Sequence, residues 1–210
     1  MTKFSNLIFL FLFLSTTSLA QKQDAKILLS DYTKGKFITS VSIEINAPYE
    51  KVDGTLDKFI SQYNNHLDEL FIWAIKDLKL QGEKDDFIMF NIKSHTYDEN
   101  TNRVGGNMDI NVTFMKRNFP ATRYETSLSK FSSENKTEIV YEMHYCENVI
   151  DKANAKIVIT PTTVNSTLLT FDVNLGLSSP YHLMTKKQYR TNIEWRFAKL
   201  LSNIRDESEK

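Results

Sequence analysis

The chain has 210 residues, 41% hydrophobic and 25% charged, which is ordinary globular composition and enough for one sizeable core. Its 26 Lys and Arg balance 26 Asp and Glu, which argues against a nucleic-acid-binding stripe and against an acidic tail. Six Gly and four Pro exclude a low-complexity chain, and the single cysteine, Cys146, excludes an internal disulfide.

Residues 1–20 differ from the rest. Lys3 precedes the unbroken apolar run LIFLFLFL (7–14), and STTSLA then closes in small residues, with Ser18 and Ala20 at the cleavage-site positions. Charge, apolar run and small-residue end together predict a secretory signal peptide. The run is well short of the roughly 20 residues that a membrane-spanning helix needs. Gln21, not Cys, follows the expected cut, so no lipid anchor is predicted, and no later stretch is long and apolar enough to span a bilayer. The mature chain is expected to be exported, to a periplasm or the medium, and to be soluble.

Residues 21–36 are polar without a sustained period and read as a leader into the domain. FITSVSIEI (37–45) alternates Phe37, Val41, Ile43 and Ile45 against Ser40, Ser42 and Glu44, the pattern of a half-buried strand. It stops at Asn46-Ala47-Pro48. Pro48 suits the first turn of a helix, where its missing N–H has no bond to lose. Val52, Leu56, Phe59, Ile60 and Tyr63 then recur at helical spacing. After Asn64-Asn65 a second stripe of Leu67, Leu70, Phe71 and Ala74 predicts another helix.

From about residue 87 to 177 the period is near two. Strands are predicted at 87–98, 107–116, 121–131, 137–147, 156–160 and 166–177. TNRVGG (101–106), NFP (118–120), SSEN (132–135), NVIDKAN (148–154) and PTTVN (161–165) read as turns between them. One long helix is predicted from Ser178-Ser179-Pro180 to about Arg205, with Tyr189, Ile193, Phe197, Leu200 and Ile204 as its apolar stripe and 207–210 as a tail. The expected class is α+β: a curved antiparallel sheet of about seven strands, two short helices after the first strand, and a long terminal helix. A sheet with one apolar face needs a cover, and only the terminal helix is long enough to lie across it.

That order, together with IEINAPYEKV (43–52), resembles the START-like or SRPBCC helix-grip superfamily of lipid-transfer domains, pollen allergens, and polyketide cyclases and aromatases. Members often open with a strand ending in Ala-Pro, then Glu and Val in the first helical turn; here these are Ala47, Pro48, Glu50 and Val52. Many carry Trp or Phe next, where this chain has Asp53. Some have a glycine-rich loop between the second and third strands, to which the shorter Val104-Gly105-Gly106-Asn107 corresponds. The resemblance covers residues 37–206 and implies one helix-grip domain with a cavity between sheet and terminal helix. Such cavities commonly hold a hydrophobic or amphipathic small molecule. The resemblance implies no cofactor and no particular chemistry.

Met108, Ile110, Tyr124, Tyr141, Met143, Tyr145 and Phe171 fall on the apolar face and are the candidate ligand-binding residues. The plain alternative is that they fill a core. Lys186 and Arg190 share the terminal helix's stripe by i, i+3 and i+4 spacing and are candidates to receive a carboxylate or phosphate at the cavity mouth. Their alternative is to snorkel into water. Trp195, on the opposite helix face, is either a contact surface or packs on a loop. Glu142, His144 and Cys146 share a strand face that should look outwards, and one strand cannot wrap a tetrahedral ion, so no metal site is expected. His66 and Glu69 read as a solvated helix face.

The favoured reading is non-covalent binding or carriage of a hydrophobic or amphipathic small molecule. One alternative is a cyclase- or hydrolase-like enzyme with a cavity tyrosine or histidine as acid or base. The other is a protein-interaction module, which predicts a filled core.

Overall fold

The computed structural model describes residues 25–67, 88–112, 116–148, 150–178, 185–190 and 194–210. Eight antiparallel strands form one sheet among them. They are β1 (Lys26–Thr33), β2 (Lys36–Ile45), β3 (Ile88–Asp98), β4 (Arg103–Val112), β5 (Arg117–Ser133), β6 (Lys136–Cys146), β7 (Ile150–Thr163) and β8 (Ser166–Leu177). The spatial order is β1-β2-β8-β7-β6-β5-β4-β3, so β3 to β8 are a meander and only the β2–β8 pair joins strands far apart in sequence. Helix α1 (Tyr49–Asn65) follows β2, and α2 (Lys186–Tyr189) and α3 (Trp195–Ser208) follow β8.

The expected alternation of β2 holds: Phe37, Val41, Ile43 and Ile45 are all buried. At the strand's end Pro48 occupies the cap of α1, and its carbonyl accepts the N–H groups of Lys51 (3.0 Å) and Val52 (3.2 Å). Val52 and Leu56 of α1 and Leu201 and Ile204 of α3 share one buried core with Ile157 and Leu169 of the sheet. α3 packs on β2, β8 and α1. No helix among the described residues is long and apolar enough to cross a membrane.

Several sequence expectations need correction. The segment read as a leader supplies β1, which makes the sheet eight-stranded rather than seven-stranded. β1 hides from a periodicity reading because it is an edge strand. Ile27, Leu28 and Leu29 are exposed, and a bulge between Ile27 and Leu29 breaks the alternation. Val104-Gly105-Gly106-Asn107 is no loop but part of β4, paired on both sides. Asn118-Phe119-Pro120 lies inside β5, where a register shift opposite Met108 and Ile110 and a positive φ of 50° at Ala121 absorb the irregularity. Asp109 Oδ1 accepts the Ala121 N–H there at 3.0 Å. Ile150–Asn154, expected in a turn, extends β7.

The terminal helix is two described pieces, with π-helical geometry at Arg190 and Glu194 between them. The chain end is not a loose tail: Ser208 is fully buried, and the Glu209 carboxylate accepts the Asn46 N–H at 3.0 Å. The predicted signal segment, and Glu69, Leu70, Phe71 and Ala74 of the second early helix, lie outside the described residues.

Candidate functional site

A cavity of about 330 Å³ lies between the sheet and helices α1 and α3. The period-two rule builds its floor. β6 presents Ile139, Tyr141 and Met143; β7 presents Ala153, Ala155 and Ile157; β8 presents Phe171, Val173 and Leu175. The space exists because β7 offers two alanines where its neighbours offer larger side chains. Phe59 and Tyr63, one turn apart on α1, and Phe197 and Leu200 on α3 form the roof. Phe197 sets its ring edge-on to Phe171, with centroids 5.5 Å apart, which docks α3 onto β8.

Of the sequence candidates, Met108, Tyr124, Tyr141, Met143 and Phe171 line the cavity. Ile110 is fully buried but belongs to the core beyond the lining. Tyr145 points the other way. It is 46% exposed, its hydroxyl donates to Glu147 Oε1 at 2.9 Å, and the Arg123 guanidinium sits 6.0 Å from its ring centroid. The cause is a register shift between β5 and β6: Thr126 pairs with Met143 and Glu125 with Tyr145, so His144 has no opposite residue. From there the alternation moves by one. Tyr145 goes outwards and Cys146 turns to pack against the core. Burial pushes the Cys146 thiol up to about 11, so it is protonated and unreactive at neutral pH.

Lys186 and Arg190 are exposed and do not line the cavity. Between them Tyr189 is fully buried, stacked on Phe37 at 4.0 Å and hydrogen-bonded to Thr39. That anchor holds this part of the chain over β1 and β2. Arg190 Nε donates to Ser30 Oγ on β1 at 3.4 Å, and Ser30 in turn donates to the Glu194 carboxylate. Trp195, read as either a contact surface or packed on a loop, is half-buried. No grouping of His, Cys, Asp and Glu among the described residues could hold a metal ion.

The sequence reading did not name Thr126, Leu128, Ala153, Ala155 or Val173 as site residues. Leu128 and Val173 carry the period-two signal on the apolar face; Ala153 fell in a supposed turn. Phe59, Tyr63, Phe197 and Leu200 were legible as helical stripes, though not as cavity walls.

The site is electrostatically quiet. No Lys, Arg, His, Asp or Glu lines it among the described residues. Its titratable groups are three phenols. Tyr63 is hydrogen-bonded to Thr126, and burial pushes its pKa far above the ordinary value. Tyr141 meets Tyr63 edge-on at 6.1 Å, and burial likewise raises its pKa well above normal. Burial pushes Tyr124 up to about 12. All three therefore stay protonated and neutral across the physiological range. Behind Tyr124 stands His95, whose Nε2–H donates to the Asn64 carbonyl at 2.8 Å. His95 Nδ1 lies 3.5 Å from the Tyr124 hydroxyl, which also donates to the Ser94 carbonyl at 3.4 Å.

No family model and no curated protein matches the chain. Solved structures do. The aromatase/cyclase ZhuI from a Streptomyces species superposes with a TM-score of 0.51 at 8% identity, over 83% of this chain and 94% of that one. The di-domain ARO/CYC StfQ of the steffimycin biosynthetic pathway gives 0.51 at 11% identity, over 84% of this chain and 51% of that one. A START superfamily protein from Mycobacterium smegmatis gives 0.42 at 13% identity, over 82% and 94%. At such identities the likeness is one of fold. With its antiparallel sheet, elbow at Asn46-Ala47-Pro48 and terminal helix packed against β2 and β8, the chain has the START-like helix-grip fold.

Proposed function

We propose that the chain binds an uncharged hydrophobic small molecule between the sheet and helices α1 and α3, as an exported carrier. One observation carries the reading: a cavity of about 330 Å³ whose described lining is apolar apart from three neutral phenols, Thr126 and Asn154, and has no charged side chain. That volume lies in the range of small-molecule sites, and a filled core would not leave it. At ~30 Å³ for a water- or methylene-sized group, it holds about a dozen such groups. Burying a dozen methylenes at ~0.8 kcal/mol each yields ~10 kcal/mol of gross transfer energy. Association costs at least ~4 kcal/mol of this, leaving an affinity in the tens of micromolar before any polar contact. A carboxylate or phosphate inside would cost several kcal/mol with no cation to meet it, so the buried part of the ligand is neutral. The signal-like segment at residues 1–20 supports export.

The test is titration with the neutral dye N-phenyl-1-naphthylamine. Its fluorescence should rise on binding, and Ala155→Phe, which fills the floor, should weaken binding at least tenfold while circular dichroism and melting temperature are kept. A folded wild-type protein that leaves the dye dark would sink the proposal.

A second reading, acid–base catalysis in the same cavity, has the Tyr124–His95–Asn64 chain in its favour. There the tyrosine would act as the proton donor, because burial keeps its hydroxyl protonated.

A further inference from the structure

We propose that the Tyr141 hydroxyl is the polar recognition point of the cavity, and that the ligand is an apolar molecule carrying one neutral oxygen acceptor, such as a ketone, aldehyde or ester carbonyl. This inference rests on the cavity being a binding site and adds to it the chemistry of what binds.

Three phenols share the lining with Thr126 and Asn154, and two of the phenols are engaged. The Tyr63 hydroxyl is paired with Thr126, and the Tyr124 hydroxyl lies within reach of the Ser94 carbonyl and His95 Nδ1. The Tyr141 hydroxyl has no hydrogen-bond partner among the described residues. Its cross-strand neighbours are Leu128 on β5 and Ala155 on β7, neither of which offers a side-chain polar atom. Its ring is fixed edge-on against Tyr63 at an interplanar angle of 88°. Tyr141 lines the cavity and keeps part of its surface open.

A hydroxyl that meets no protein partner inside an apolar cavity is poorly satisfied, and phenylalanine there would keep the ring and avoid the cost. A resident water needs about three polar partners, and the side chains across from Tyr141 supply none. The partner is then the occupant. A phenol that stays protonated donates its one O–H, so the complementary group is an acceptor. Since no cation lines the site among the described residues, that acceptor is uncharged. Lys186 and Arg190, which would have selected a carboxylate or phosphate, stand outside it.

The experiment compares 1-tetralone with tetralin, bicyclic molecules of about a dozen non-hydrogen atoms that differ by one carbonyl. Each is titrated calorimetrically against the wild type and against Tyr141→Phe. A hydrogen bond of ordinary net strength predicts that the variant loses about three- to tenfold more affinity for the ketone than for the hydrocarbon. Tetralin should bind both proteins equally. The melting temperature of ligand-free Tyr141→Phe should be no lower than that of the wild type, because the substitution removes an unsatisfied hydroxyl. A ketone-to-hydrocarbon affinity ratio unchanged by the substitution overturns the role of Tyr141 while leaving the apolar cavity standing. So does a lowered melting temperature of the ligand-free variant, which would mean the hydroxyl already has a partner. Failure of both compounds to bind the wild type overturns the binding site itself.

Discussion

Gly106 on β4 has no room for a side chain. A Cβ there would lie 2.1 Å from the Ser94 carbonyl oxygen, 2.8 Å from the Ser94 carbonyl carbon and 3.1 Å from the Tyr124 hydroxyl. At the adjacent Gly105 the nearest atom is the Tyr124 carbonyl oxygen at 3.6 Å, an ordinary contact. Neither glycine has a left-handed backbone, so the two positions differ in crowding alone. Gly106→Ala must part β3 from β4 at the His95–Gly106 pair by on the order of 1 Å to restore a normal separation. The obstacle is backbone, held by the strand pairing, and cannot swing aside as a side-chain tip would. Overpacking costs about 1–3 kcal/mol, and this contact belongs at the upper end. For a chain of this size about 3 kcal/mol lowers the melting temperature by about 6–12 °C. Gly105→Ala should stay within about 1 kcal/mol of the wild type and can gain ~0.4–1 kcal/mol by stiffening the unfolded chain. Paired thermal melts by circular dichroism decide it. If the two alanine variants melt at the same temperature, the crowding argument is wrong. Since Tyr124 lines the cavity and its hydroxyl meets the Ser94 carbonyl, Gly106→Ala should also weaken dye binding at temperatures where it is folded.

Glu147 accepts two bonds from the Arg123 guanidinium at 2.6 and 2.8 Å, one from the Arg123 backbone N–H at 3.1 Å and one from the Tyr145 hydroxyl at 2.9 Å. These hold its pKa at about 2 against an ordinary 4.5. A depressed carboxylate stabilises the fold above its unfolded pKa and loses that contribution as pH falls through the folded one. Glu147→Gln should therefore melt with a shallower decline between pH 4.5 and 2 than the wild type, and parallel declines would contradict the assignment. Lys130 on β5 donates to Asp53 at 2.9 Å and Asp57 at 2.7 Å, clamping α1 to the sheet. Burial opposes its charge, but the two carboxylates outweigh that and hold its pKa above normal. Lys130→Met should cost about 1 kcal/mol in urea unfolding, more at low salt, because it leaves two like charges one turn apart. A loss independent of salt would point to packing instead.

Where a strand has a sheet neighbour on each side and one buried face, its alternation was readable, as in β2, β6 up to Met143, and β8. The misreadings share a cause: one-residue irregularities that leave no mark in composition. The bulge at His144 reverses the facing of Tyr145 and Cys146. The shift near Ser94 lets two glycines stand inside a strand rather than in a loop. At the other end of the chain, Arg190 and Glu194 have π-helical geometry, and Lys186 and Arg190 do not join Phe197 in the cavity wall. Tyr189 was legible as buried; that it anchors to Phe37 and Thr39 was not, because the partner of a buried ring is a fact of the whole fold. The cavity itself depends on Ala153 and Ala155 being small, and no pattern flags a residue for what it leaves empty.

The β2–β8 seam and the clasps beside it bear on how the chain reaches this state. Thr39 meets Tyr189, Ser30 meets Glu194, and Asn46 meets Glu209, across sequence separations of 150, 164 and 163 residues. Pairing of Lys36 with Gly176 and Phe37 with Leu175 likewise waits for the eighth strand. The hairpins from β3 to β8 can zip locally, but the first strands made are the last that can be seated. High contact order of this kind gives folding times of milliseconds to seconds. The roof of the cavity closes only when Phe197 and Leu200 of α3, which follow all eight strands, have been synthesised and docked. The cavity is therefore completed late, when α3 docks, rather than growing as the sheet is made.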